Sequence, residues 1–207
     1  MAAVADIEAG AGNVRPRPGE APGPVPGDVP DGAAESPAEE RTARDTVYRL
    51  LATRARSRTE LLRALRRKGV ATGTAEIVLD RFAAAGLVDD AAFAAEWVRG
   101  RHRQRGLGRG ALREELRDKG VDEDTATEAL EVVDTDAEVA RARELVRRRA
   151  RGMTAVDART RTRRLLGLLA RKGYGRALAF RVVREELEST GVEVSAPDEE
   201  LWFEPDD

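Results

Sequence analysis

The sequence predicts an all-α protein, an elongated solenoid-like array of three tandem three-helix repeats. Three observations carry that prediction. From Arg41 to about Leu187 there is no proline, and Ala, Leu, Arg and Glu prevail, the composition of good helix formers with nothing to break them. Glycines at Gly69, Gly73, Gly86, Gly106, Gly108, Gly120, Gly152 and Gly173 punctuate this stretch into helices of ordinary length. One turn also recurs three times without a gap, as Glu60–Val70, Ala111–Val121 and Arg164–Tyr174.

Counted from the glycine of that turn, Leu61, Leu112 and Leu165 stand eight residues before it. Leu65, Leu116 and Leu169 stand four before it, so i, i+4 spacing makes one buried stripe. The glycine ends the helix. An apolar residue follows at once (Val70, Val121, Tyr174), then Ala75, Ala126 and Ala179, then Leu79, Leu130 and Val183, which predicts a second repeated helix. Glycine spacings of 51 and 53 residues leave room for a third, with apolar faces at Val47/Leu50/Leu51, Phe93/Trp97 and Val139/Leu145.

Capping signals agree with these boundaries. Ser57-Arg-Thr-Glu60 has the capping-box form, Asp89 or Asp90 suits the start of the helix through Trp97, and Asp122 suits the start of the one after Gly120. The repeats are expected at residues 43–88, 89–135 and 136–188. They are flanked by a Pro/Gly-rich extension over 1–42, expected to be disordered, and an acidic tail over 189–207.

A net charge of −2 hides segregation. Residues 1–40 carry a net −6 and residues 191–207 a net −7, so the body between them carries +11. A basic body attracts nucleic acid or an acidic protein groove, and acidic ends can shield it; the alternative is that arginine merely solvates helix faces. No apolar run is long enough for a membrane span, and no secretory signal stands at the N-terminus, so the expectation is a cytoplasmic protein with no membrane partner. With no cysteine there is no thiolate metal site and no cysteine nucleophile, and the lone imidazole of His102 is expected to offer neither a metal constellation nor a serine triad. A non-enzymatic monomer without cofactor or metal is expected.

All three lysines of the chain, Lys68, Lys119 and Lys172, immediately precede the repeated glycine, whereas the other 33 basic residues are arginine. A lysine in the last turn complements the helix dipole and a C′ glycine takes the left-handed conformation, although arginine would serve the dipole too. The other reading is a row of ammonium groups that meet phosphate or carboxylate on a repeating partner. Both stay open.

The Arg54-Ala-Arg-Ser-Arg-Thr-Glu-Leu-Leu62 segment, the three Leu-x3-Leu-x2-Lys-Gly turns and Gly86-Leu-Val-Asp-Asp-x2-Phe-x3-Trp-Val98 together resemble the RecX family over about residues 43–188. The resemblance implies a cytoplasmic bacterial modulator of the RecA recombinase. Such a protein lies in the groove of the RecA–DNA filament, inhibits strand exchange, ATPase and coprotease activity, and acts in recombination, DNA repair and the SOS response. A direct DNA- or RNA-binding helical-repeat protein without RecA dependence is the alternative. The long N-terminal extension and the acidic C-terminus depart from the family pattern.

Candidate contacts to the partner or to nucleic acid are Lys68, Lys119 and Lys172, with the two densest positive stretches. The first supplies Arg101, Arg103, Arg105 and Arg109, the second Arg147, Arg148, Arg149 and Arg151. His102 is expected on the surface of its basic segment, and Asp89-Asp90 is expected to start a helix rather than bind metal. Tyr48, Phe93, Trp97, Tyr174 and Phe180 are expected in the core, whereas Leu201-Trp-Phe203 amid acids could dock on a partner or fold back on the basic body.

Overall fold

A computed structural model describes residues 36–191. Among them are nine α-helices and no strand: α1 (Pro37–Leu51), α2 (Arg58–Arg67), α3 (Thr72–Ala84), α4 (Asp90–Arg105), α5 (Arg109–Asp118), α6 (Glu123–Leu130), α7 (Thr135–Ala150), α8 (Ala158–Arg171) and α9 (Arg176–Glu188). They form three consecutive three-helix repeats, and the extensive helix–helix packing runs inside each repeat. Each has its own core. The first gathers Val47, Leu61, Leu65, Leu79 and Phe82, the second Phe93, Val98, Leu112, Leu116 and Leu130, the third Val146, Leu165, Leu169, Tyr174 and Val183. All six leucines of the repeated stripe are fully buried, each stabilising the fold by about 1.5–3 kcal/mol.

The repeated glycine closes its helix the same way three times. The N–H of Val70 donates to the Leu65 carbonyl and that of Gly69 to Arg66; Val121/Leu116 with Gly120/Arg117, and Tyr174/Leu169 with Gly173/Ala170, repeat the pair. This is the Schellman arrangement. It needs the left-handed backbone of Gly69, Gly120 and Gly173, at φ of 80°, 72° and 79°. Ser57, Asp89 and Asp122 cap α2, α4 and α6 as expected from the sequence, and Asp134 and Asp157 cap α7 and α8.

Some expectations change. The boundary of the extension at residue 42 falls inside α1, which starts at Pro37: proline at the first helical position loses no hydrogen bond, and Glu39 and Glu40 complement the dipole there. Glu39 then accepts from the Ala71 N–H, and Glu40 pairs with Arg81. Tyr48 is 53% exposed instead of buried, lying edge-on to Phe82 with ring centroids 4.8 Å apart. Trp97 and Phe180 are only partly buried. The rest of the N-terminal extension and the tail with Leu201, Trp202 and Phe203 lie outside the described residues.

Candidate partner interface

The middle helices of successive repeats meet end to end. At the first junction the C-terminus of α5 abuts the N-terminus of α2. The Arg63 guanidinium donates to the Asp118 carbonyl (3.0 Å), the Ser57 hydroxyl to Lys119 (2.6 Å) and the Thr59 hydroxyl to Gly120 (3.0 Å). The last carbonyls of α5, which have no partner within their own helix, thus find donors at the start of α2, where the negative end of one helix dipole meets the positive end of the other. Ser57 serves twice, since its oxygen also accepts from the Glu60 N–H (3.1 Å).

The second junction has the same register. The Gly108 N–H donates to the Lys172 carbonyl (2.7 Å) and the Gly110 N–H to Gly173 (3.0 Å), so the start of α5 receives the end of α8 as α2 receives α5. Here the donors are backbone groups and the approach is closer. A Cβ on Gly173 would lie 2.1 Å from the Ala111 nitrogen, and one on Gly108 or Gly110 would lie 2.8 Å from the Gly173 oxygen. Tyr174 completes the contact by donating its hydroxyl to Gly106 (3.1 Å). Burial pushes its phenol pKa up, with a further push from Glu138.

An acid from the following repeat accepts the first N–H of α2 and of α5. Asp90 takes Arg58 (2.7 Å) and Glu138 takes Arg109 (2.9 Å). Asp89 and Asp90 therefore divide the work: Asp89 accepts from Ala92 and caps its own helix, while Asp90 reaches across to the preceding repeat. Burial raises the Asp90 carboxyl despite that hydrogen bond. The sequence pattern had no way to single out Glu138 or Arg63, whose partners stand 29 and 55 residues away.

The three lysines occupy equivalent backbone sites with different surroundings. Lys119 Nζ lies 2.7 Å from Glu60 Oε1 and 4.6 Å from the Trp97 ring centroid. Burial pushes the Glu60 carboxyl up, but hydrogen bonds and charge from Arg54 and Lys119 outweigh it and hold the group at about 2. The capping box is thus half made, because Glu60 turns to Arg54 and Lys119 instead of its own cap. Lys172 Nζ donates to the Arg105 carbonyl (2.8 Å). Lys68 is exposed and has no partner among the described residues.

The two arginine stretches divide likewise. Glu115 collects Arg101 (3.0 Å), Arg105 (3.5 Å) and the Trp97 indole N–H (2.8 Å), and Arg101 also lies over the Trp97 ring at 4.2 Å. The Arg109 guanidinium reaches the Val133 carbonyl. Arg147 pairs with Glu186 (2.7 Å), which stabilises its charged form, and Arg148 pairs with Glu144 (3.3 Å). The side chains of Arg103, Arg149 and Arg151 are exposed and unpaired among the described residues, as are Arg66 and Arg67 beside Lys68, which density of charge alone did not pick out. His102 is half-buried, with Nδ1 2.8 Å from the Leu107 carbonyl. Between the first two repeats a cleft of about 290 Å³ is lined by Arg54, Phe93, Trp97, Gly100, Arg101 and Gln104.

Comparison with known proteins agrees with this architecture. Residues 43–82 match the family model of the RecX first three-helix domain, and residues 89–130 that of the RecX second three-helix domain. The chain is 50% identical over 158 residues to the regulatory protein RecX of Thermobifida fusca, covering 76% of this chain and 85% of the relative. It is 49% identical over 157 residues to that of Amycolatopsis mediterranei, covering 76% and 90%. The crystal structure of RecX from Lactobacillus salivarius superposes with a TM-score of 0.68 at 18% identity, covering 72% of this chain and 97% of that one, and so shares the fold. The chain belongs to the RecX family of regulatory proteins.

Proposed function

We propose that this chain is a cytoplasmic, non-catalytic, monomeric negative modulator of the RecA recombinase. It binds in the groove of the RecA–DNA filament and lowers strand exchange, ATPase and coprotease activity. The observation that carries this reading is repetition within a RecX-family chain: one helix-end junction recurs in register, so the repeats present themselves at a regular spacing, which suits a partner made of repeated subunits. Contacts to several subunits at once raise avidity without strengthening any one contact. The contact residues proposed are Lys68, Arg103, Arg149 and Arg151, whose charges are not spent inside the described part of the chain, with Arg105, Arg147 and Arg148 as exposed members of ion pairs. Lys119, Lys172, Arg101 and Arg109 serve the junctions and their supports.

RecA ATPase and strand exchange should fall at concentrations of this protein well below those that coat the DNA. Joint replacement of Arg103, Arg149 and Arg151 by Ala should raise the concentration needed several-fold and flatten its salt dependence, while stability stays within about 0.5 kcal/mol. A direct nucleic-acid-binding role is the second reading, favoured by the same unpaired arginines. Suppression only at coating concentrations would establish it instead.

A further inference from the structure

The two junctions are one interface used twice, and its C-terminal half stands open a third time at the end of α2. Lys68–Gly69 has the same Schellman turn as Lys119–Gly120 and Lys172–Gly173. In the latter two, the lysine and glycine carbonyls each accept a hydrogen bond from the start of the preceding middle helix. The Lys68 and Gly69 carbonyls accept none from the described residues, and a Cβ on Gly69 would meet none of them within 4 Å, against 2.5 Å at Gly120 and 2.1 Å at Gly173. Arg66, Arg67 and Lys68 beside it are exposed and unpaired among the described residues.

We propose that Lys68–Gly69 is a docking end that receives the N-terminus of a helix of the protein partner, just as Lys119–Gly120 receives α2 and Lys172–Gly173 receives α5. The two filled copies define the complement. The incoming helix begins with Ser or Gly at its cap, as Ser57 and Gly108 do, and has Thr or Gly two residues later, as at Thr59 and Gly110. An acid in its first turn, as Glu60 is in α2 although α5 has none, meets the Arg66–Lys68 cluster. A second copy of this chain is a poorer fit. The equivalent start of its last middle helix, α8, carries Asp157 and Arg159, which put a carboxylate toward the Lys68 carbonyl and a long side chain where the filled junctions have Thr or Gly. The occupant is therefore a helix start on the partner, and that assignment rests on the RecA-filament reading above.

The chain has no cysteine, so Lys68→Cys creates a unique site for a benzophenone maleimide. With RecA filaments assembled on single-stranded DNA, the cross-link should map to the first turn of a RecA helix. Gly69→Asn, which tolerates the left-handed backbone but places a side chain on the docking face, should weaken filament binding at least tenfold. Gly86→Asn, at a left-handed glycine with equally open space, should leave binding unchanged at a similar melting temperature. Unaltered binding by Gly69→Asn overturns the proposal, as does a cross-link to DNA or to another copy of this chain. If Gly69→Asn melts well below Gly86→Asn, the cross-link map decides alone. A wild-type chain that does not hold the filament overturns the RecA reading and this proposal together, an outcome distinct from the others.

Discussion

At the junction between the first and second repeats, side chains bridge the helix ends; at the junction between the second and third, backbones touch. Ser57 and Thr59 reach the Lys119 and Gly120 carbonyls through hydroxyls, whereas Gly108 and Gly110 present bare N–H groups to Lys172 and Gly173. The register is identical. What the Schellman turn fixes is the direction of the last carbonyls, and any donor that reaches them will do, so the chemistry of the joint differs while its geometry persists. The hydroxyl joint adds charge through Lys119 and Glu60, and the glycine joint adds the Tyr174 hydroxyl and close contact.

The sharpest test of this contrast is steric. Gly173→Ala should destabilise the protein by about 3 kcal/mol or more, since the left-handed penalty and overpacking against Ala111 combine. Gly69→Ala has the same backbone penalty with no neighbour among the described residues, and should cost about 1 kcal/mol. Equal losses in urea unfolding would mean that the glycine joint is not closely packed.

Ser57→Ala comes next, at about 2 kcal/mol, because it removes the α2 cap and leaves the Lys119 carbonyl without its donor. Replacement of Gly108 by Ser tests the reverse exchange. Its Cβ would sit 2.8 Å from the Gly173 oxygen, so a hydroxyl cannot rescue a joint built for backbone contact, and stability should fall rather than hold.

The remaining effect is electrostatic, shows only at acid pH and is confined to the hydroxyl joint. Glu60 is held at about 2 against an ordinary 4.5, so its contribution is complete above about pH 4.5 and is lost as the pH falls toward 2. Glu60→Gln should remove that slope from the acid limb of the unfolding profile. Lys119→Met, which leaves Arg54 in place, should reduce it in part. Identical acid limbs for wild type and Glu60→Gln would take the ion pair out of the joint.

What could be read from the sequence was local. The Leu61/Leu65 stripe and its two copies, the glycine that ends each middle helix, and the caps at Ser57, Asp89 and Asp122 all follow from i, i+4 spacing, a positive φ or a bond three residues long. Family membership was legible for the same reason, as the order and spacing of these common residues are together specific.

The tertiary structure decided the use of each group once its own helix no longer constrained it. Glu60 leaves its capping box because an ammonium 59 residues away in sequence lies at 2.7 Å, and Asp90 serves the repeat before its own. Three lysines identical in pattern become an ion-pair partner, an ammonium donor to a backbone carbonyl and an exposed charge, because the first repeat has no described repeat before it for its turn to grip. A sequence repeat specifies equivalent helix ends through short-range torsions and hydrogen bonds. Which end faces which neighbour is settled by contacts more than fifty residues apart along the chain, and those appear only when the repeats are stacked.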